Sequence, residues 1–187
     1  MTLINLPNAI TIARILAVPL MIWLIVSGEY LAAFWVFVLA GISDGVDGFI
    51  AKRFDLQTEL GAYLDPLADK LLLVSIFVSL GMLRVLPPWV VILVVSRDVL
   101  IVGGVLLAKM MNQSVRVQPM FLSKLNTAAQ IALAGVVLAV LGFDLHGNVL
   151  VLFGSALVAA LTVASGAQYV LQWIRHMASN PEPPKSR

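Results

Sequence analysis

Four aspartates, Asp44, Asp47, Asp65 and Asp69, are the residues whose types and spacing can do chemistry in this chain. They form two pairs, at i,i+3 and i,i+4, and on a helix each pair shares one face about a turn apart. The stretches around them are apolar, and an aspartate at the centre of a membrane span costs roughly 2.5–3.5 kcal/mol, so such residues are rare without a function. Four carboxylates brought together cannot all stay ionised unless cations neutralise them. All-oxygen ligation selects hard ions, which makes Mg²⁺ or Mn²⁺ the expected occupant. Two such ions could polarise a phosphoryl group and stabilise both the attacking and the leaving oxygen. Lys52 and Arg53, between the pairs, could receive further phosphate charge. The chemistry this suggests is metal-assisted phosphoryl transfer. A water pocket, an ion pair or an ion carrier could also use intramembrane acids. Carriers, however, place them near the midplane on broken helices. These acids gather toward one face, with Gly45, Gly48 and Gly61 thinning the backbone beside them.

The elements that must position these acids follow from composition. Of 187 residues, 60% are hydrophobic and 12% charged, against about 25% charged in soluble domains. The absence of cysteine excludes thiolate metal sites and a cysteine nucleophile. A net charge of +2 without a basic run gives no support to a nucleic-acid partner. Apolar runs at 9–27, 30–52, 60–83, 88–109, 121–141 and 148–173 each approach the ~20 residues needed to cross a bilayer. Backbone polar groups cannot face lipid unpaired, so these runs predict helices. The expected fold is an all-α integral membrane protein, with six transmembrane helices in one bundle over residues 1–177. A polar, proline-rich tail follows at 178–187. Antiparallel packing of the second and third helices places Asp47 and Asp65 at matching depth, roughly 8–10 Å below their loop.

Lysine and arginine gather in the second and fourth loops and at the C-terminus, which puts those loops, both termini and the acids on the cytoplasmic side. The start, MTLINLPNAITIARI, carries neither a signal peptide's basic region nor an arginine-rich transit pattern, which favours a bacterial inner membrane.

The order Asp44, Asp47, Gly48, Ala51, Lys52, Gly61, Asp65, Asp69 resembles the signature D-x-x-D-G-x-x-A-R-x8-G-x-x-x-D-x-x-x-D of the CDP-alcohol phosphatidyltransferases. Lys52 stands where that signature has arginine, which weakens bidentate phosphate contact there. The resemblance implies a six-helix membrane enzyme, usually a homodimer, that moves a phosphatidyl group from CDP-diacylglycerol to an alcohol. By the same resemblance, Asp44, Asp47, Asp65 and Asp69 hold two divalent ions, and Asp69 is also the general base. Asn8, Arg14, Gly48, Lys52 and Gly61 would bind the CDP donor. For Asn8 and Arg14, interfacial capping of the first helix is an equally open role.

Arg97 and Lys124 are the candidates for the acceptor's phosphate. Arg97 could instead pair with an acid. Asp98 is not the expected partner, because adjacent helical residues do not face each other. Asn126 and Gln130, one turn apart, face either the pocket or a neighbouring helix. The segments NLPNAITIARI, VVSRDVL and FLSKLNTAAQ resemble phospholipid synthases with two acceptors, glycerol 3-phosphate or phosphatidylglycerol. The glycerol 3-phosphate enzymes typically carry Lys-x-Lys-Thr where this chain has Lys124-Leu125-Asn126-Thr127. One cation fewer suits the less charged acceptor. The Ser-Lys-x-Asn-Thr form, with FVLAGISDGVDGFIAKR and LDPLADK, more closely resembles the CMP-forming cardiolipin synthases, and the resemblance implies phosphatidylglycerol as acceptor.

Overall fold

The computed structural model describes the backbone of residues 6–54, 59–110 and 121–179, and side chains over 13–45, 68–101 and 121–171. Among these residues all regular structure is helical: α1 (Leu6–Val26), α2 (Tyr30–Phe54), α3 (Glu59–Met82), α4 (Pro88–Met110), α5 (Phe121–Gly142) and α6 (Asn148–Ser179). Each of the six apolar runs became one helix, with ends within a few residues of expectation except for α6, which continues to Ser179. α1 packs on both α2 and α3, α5 on α2 and α6, and α4 on α6 and α3.

One end of the bundle is built from three closely similar turns. After α1, Gly28 takes φ 79°; the Glu29 N–H donates to the Leu24 carbonyl at 2.9 Å and the Gly28 N–H to Ile25 at 3.2 Å. Arg84 (φ 58°) after α3 and Asp144 (φ 51°) after α5 repeat the arrangement, through Val85→Leu80 and Leu145→Val140 bonds. These are Schellman caps, which satisfy carbonyls that a helix end leaves open. They let α1, α3 and α5 stop sharply and turn into their successors. The acids lie toward the opposite end.

Gly142, at the last of these turns, lets α5 approach the backbone at the start of α2 closely. A methyl group there would lie 2.8 Å from the Cα of Leu31 and 3.0 Å from its nitrogen. That neighbour is backbone and cannot rotate aside. Gly142→Ala is expected to cost about 1–3 kcal/mol of stability by overpacking. Thermal unfolding in detergent checks it, and an unchanged midpoint would refute the steric argument.

The buried core runs through the half of the bundle nearer these caps, with Met21, Ile25, Ile76, Phe77, Leu80, Val90, Val94, Val137 and Leu138 inside. The outer surface is apolar as well: Leu39, Ile42, Leu152 and Phe153 are exposed. Trp23, Trp35 and Trp89 are exposed near the capped end, as in the aromatic belt of a membrane interface. Among the described residues, two helical stretches, 121–142 and 148–171, are long and apolar enough to cross a membrane. Only 39% and 28% of their most apolar windows are buried. Core helices of a soluble protein are mostly buried, so these apolar faces suit lipid.

Candidate active site

The site starts on α1. Arg14 is almost fully buried and lies where α1 packs against α2 and α3. Its Nη2 stands 2.7 Å from Asp44 Oδ1 on α2, and its Nη1 2.6 Å from Asp69 Oδ1 on α3. Asp44 lies ten residues before the end of α2 and Asp69 ten after the start of α3. At 1.5 Å per residue, both sit roughly 15 Å inside the bundle end. α2 and α3, expected to pack on each other, make no direct packing contact among the described residues; both pack on α1, and matching depth on its two sides places one acid from each helix around Arg14. The guanidinium fork gives one nitrogen to each carboxylate. Sequence reasoning expected Arg14 at the donor; its hold on two of the acids was not foreseen. The side chains of Asp47, Asp65, Asn8, Gly48, Lys52 and Gly61 lie outside the described residues. α1 carries Asn8, α2 carries Asp47, Gly48 and Lys52, and α3 carries Gly61 and Asp65.

Asp44 and Asp69 are each close to half exposed, because they open onto a cavity of about 460 Å³. Its polar end is Arg14, Asp44, Asp69 and Lys70; its walls include Phe37, Leu72, Leu73 and Ile131. Among the described residues, no three potential ligands cluster. The fit to a divalent ion rests on Asp44 and Asp69, whose oxygens already converge on one cationic group. Hard carboxylate oxygens of this kind suit Mg²⁺ or Mn²⁺.

A second charged group begins one residue further along α3. Lys70 Nζ is 2.7 Å from Asp98 Oδ2 on α4, and Asp98 Oδ1 is 2.7 Å from Arg97 Nη1. The pair of neighbours that helix geometry disfavoured therefore exists. The long arginine stem lets the guanidinium curl back to a carboxylate that its Cβ does not face. Arg97 Nη2 also donates to Ser123 Oγ on α5 at 2.5 Å and to Ser165 Oγ on α6 at 2.8 Å. The Tyr169 ring lies 5.9 Å from its guanidinium carbon. Its Nε–H is buried without a partner. Because Ser123 is the third residue of α5, this contact ties Arg97, midway along α4, to the end of the bundle where α5 begins. Lys124 is exposed and carries no ion pair among the described residues.

Asn126 is fully buried and accepts a 3.0 Å hydrogen bond from Thr162 Oγ1 on α6. Gln130 is fully buried too, and the cavity is lined by Thr127 and Ile131. Of the two roles left open, Asn126 takes the interhelical one. Sequence reasoning missed Lys70, and weighed Asp98 as the partner of Arg97 only to set it aside. The signal was present: an acid in VVSRDVL and a lysine in LADK, both inside apolar helices, where a charge needs a partner.

With this geometry in place, comparison with known proteins decides the family. The family model for CDP-alcohol phosphatidyltransferase matches residues 4–175. The chain belongs to the CDP-alcohol phosphatidyltransferase family. Among relatives of this transferase family, a rice protein named CDP-diacylglycerol--glycerol-3-phosphate 3-phosphatidyltransferase 1, chloroplastic, is 34% identical, over 91% of this chain and 57% of its own length. The human cardiolipin synthase (CMP-forming) is also 34% identical, over 88% of this chain and 60% of its own. A Bacillus subtilis CDP-diacylglycerol--glycerol-3-phosphate 3-phosphatidyltransferase is 32% identical, over 88% of this chain and 93% of its own. The chain thus spans little more than half the length of the rice and human phosphatidyltransferases. It matches the bacterial one almost end to end.

Proposed function

We propose that this chain makes cardiolipin, by transferring a phosphatidyl group from CDP-diacylglycerol to phosphatidylglycerol with release of CMP. The observation that carries the reading is the convergence of Asp44 and Asp69 at the polar end of a cavity with apolar walls. A charged headgroup with acyl chains needs both surfaces in one place. Six membrane spans in one domain, 1–177, with the acids facing the cytoplasm, accord with the lysine and arginine distribution. The near full-length bacterial match supports a bacterial cell membrane, and a homodimer is the expected assembly by family resemblance.

Asp69, held by Arg14 in the cavity wall, takes the proton from the acceptor hydroxyl. The freed oxygen attacks the β-phosphorus of the donor, the bond to the CMP oxygen breaks, and CMP leaves with that electron pair. Asp44, Asp47, Asp65 and Asp69 would hold two Mg²⁺ or Mn²⁺ ions, which supply charge neutralisation at the phosphoryl oxygens. Asn8, Arg14, Gly48, Lys52 and Gly61 would receive the CDP donor. Arg97, with Lys124 at the surface, would receive the acceptor's phosphate: its Nε–H is unused, and Lys70, Asp98 and Arg97 together carry one surplus positive charge. Asn126 and Thr162 lie one turn from Ser123 and Ser165, so a lysine at 126 would add charge beside Arg97. Asparagine, held between helices by Thr162, adds no charge there, which suits a singly charged diester at Arg97. The second reading, glycerol 3-phosphate as acceptor, draws on the rice and Bacillus relatives.

The test is CMP release by the purified protein from CDP-diacylglycerol with Mg²⁺ or Mn²⁺, offering both acceptors in parallel and resolving lipid products by mass. Cardiolipin is the expected product. Turnover with glycerol 3-phosphate alone would replace the acceptor and keep the class. No CMP with either acceptor would overturn the proposed reaction.

A further inference from the structure

We infer that Asp98 is a positioning residue for acceptor recognition, acting by holding Lys70 and Arg97 at a fixed separation. The inference rests on the proposed role of Arg97 at the acceptor's phosphate and extends it to two residues to which that reading gives no separate role.

Asp98 is buried, with each carboxylate oxygen committed to a different cation: Oδ2 to Lys70 on α3, Oδ1 to Arg97 on its own helix. An acid serving only to neutralise a buried arginine needs one partner. This acid draws in a second cation from another helix, and the cluster keeps a net positive charge. The two cations differ in freedom. Arg97 is fixed on three sides by Asp98, Ser123 and Ser165, beneath the Tyr169 ring. Lys70 is about a third exposed, lines the cavity beside Asp69, and has Asp98 as its sole salt-bridge partner among the described residues. A lysine ammonium sits on a flexible four-carbon stem, so its placement depends on that anchor.

The arrangement thus joins the two halves of the site. Lys70 follows Asp69 in the chain and shares its cavity; through Asp98 it is tied to Arg97, whose Nε–H has no partner among the described residues, and the three together carry one surplus positive charge. A phosphate entering the cavity at Lys70 meets an ammonium already placed by Asp98, with Arg97 held behind it, rather than two cations that repel and must be ordered on binding. Preorganisation of this kind acts on binding of the anion and not on the bond-breaking step.

Asp98→Asn and Lys70→Gln test this, the second being the safer fold because it alters the partly exposed partner. Initial rates of CMP release are measured in mixed micelles, varying acceptor and donor separately. Each variant is expected to raise the acceptor KM by about tenfold or more, the scale of one charge-assisted hydrogen bond. The KM for CDP-diacylglycerol, kcat and Mn²⁺ affinity should move less than about twofold. The double variant should match the more affected single one, because both break one link, and Asp98→Glu should recover part of the loss. If Lys70→Gln leaves the acceptor KM unchanged, or donor and acceptor parameters shift together, the positioning role is overturned while the reaction stands. If the wild-type protein turns over neither acceptor, the underlying reading fails instead.

Discussion

Asp69→Asn is expected to lower CMP release by about 10²–10⁴-fold, the range a positioned general base contributes. The substitution keeps the side-chain volume, and the amide oxygen can still accept from Arg14, so the 2.6 Å contact weakens without leaving a hole. What disappears is the ability to take a proton from the acceptor hydroxyl. Asp69 is also proposed as a metal ligand, and the two roles separate by titration. A ligand defect recovers as Mn²⁺ is raised; loss of the base persists at saturating Mn²⁺. Asp44→Asn provides the contrast, since Asp44 occupies the facing position on α2 with similar exposure and no assigned base role. Its activity should return in large part at high Mn²⁺. If Asp69→Asn retained more than about a tenth of wild-type turnover, a proton acceptor other than Asp69 would have to be sought.

The sequence revealed helices more readily than partnerships. Apolar runs of about twenty residues leave the backbone one way to satisfy itself in lipid, so α1 to α6 could be read from composition and breaks. The gaps between those runs marked the turns at 27–29, 86–88 and 142–148, but nothing in the sequence marked Arg84 or Asp144, ordinary residues, for the left-handed conformation that closes their caps. At the site, spacing predicted that the aspartates of α2 and α3 share faces and depths, and Asp44 and Asp69 do meet at one depth. It could not show that α1 would contribute Arg14 between two of them, because helix order in a bundle depends on which surfaces pack. Asn126 illustrates the same limit: periodicity places it one turn from Gln130, and only the position of α6 makes Thr162 its partner. The Arg97–Asp98 pair shows where a backbone rule fails. Cβ directions govern short side chains, while an arginine is long enough to return to its neighbour.

Arg14→Met is expected to move metal binding and donor use in opposite directions. The guanidinium carries its charge at ionic distance from both Asp44 and Asp69, so an incoming divalent ion meets a cation already centred on its ligands. At ~5 Å and an effective dielectric near 20, each unit of like charge costs about 3 kcal/mol. The two acids are half exposed, which screens part of this, and a tightening of Mn²⁺ binding by about tenfold is the conservative expectation. Loss of a charge-assisted contact to the diphosphate should meanwhile raise the KM for CDP-diacylglycerol by about tenfold. Stability should follow burial rather than charge count. The Arg14 side chain is 4% exposed, against 46% for Asp44 and 45% for Asp69. Methionine fills the buried space and leaves two solvated carboxylates, a modest loss. Asp44→Ala with Asp69→Ala instead strands a buried guanidinium, at roughly 3–5 kcal/mol. The double acid variant should therefore unfold at a lower temperature than Arg14→Met in the same detergent. Mn²⁺ titration calorimetry on Arg14→Met decides the electrostatic point: weaker binding than wild type would mean that Arg14 orients the carboxylates for the ion instead of competing with it.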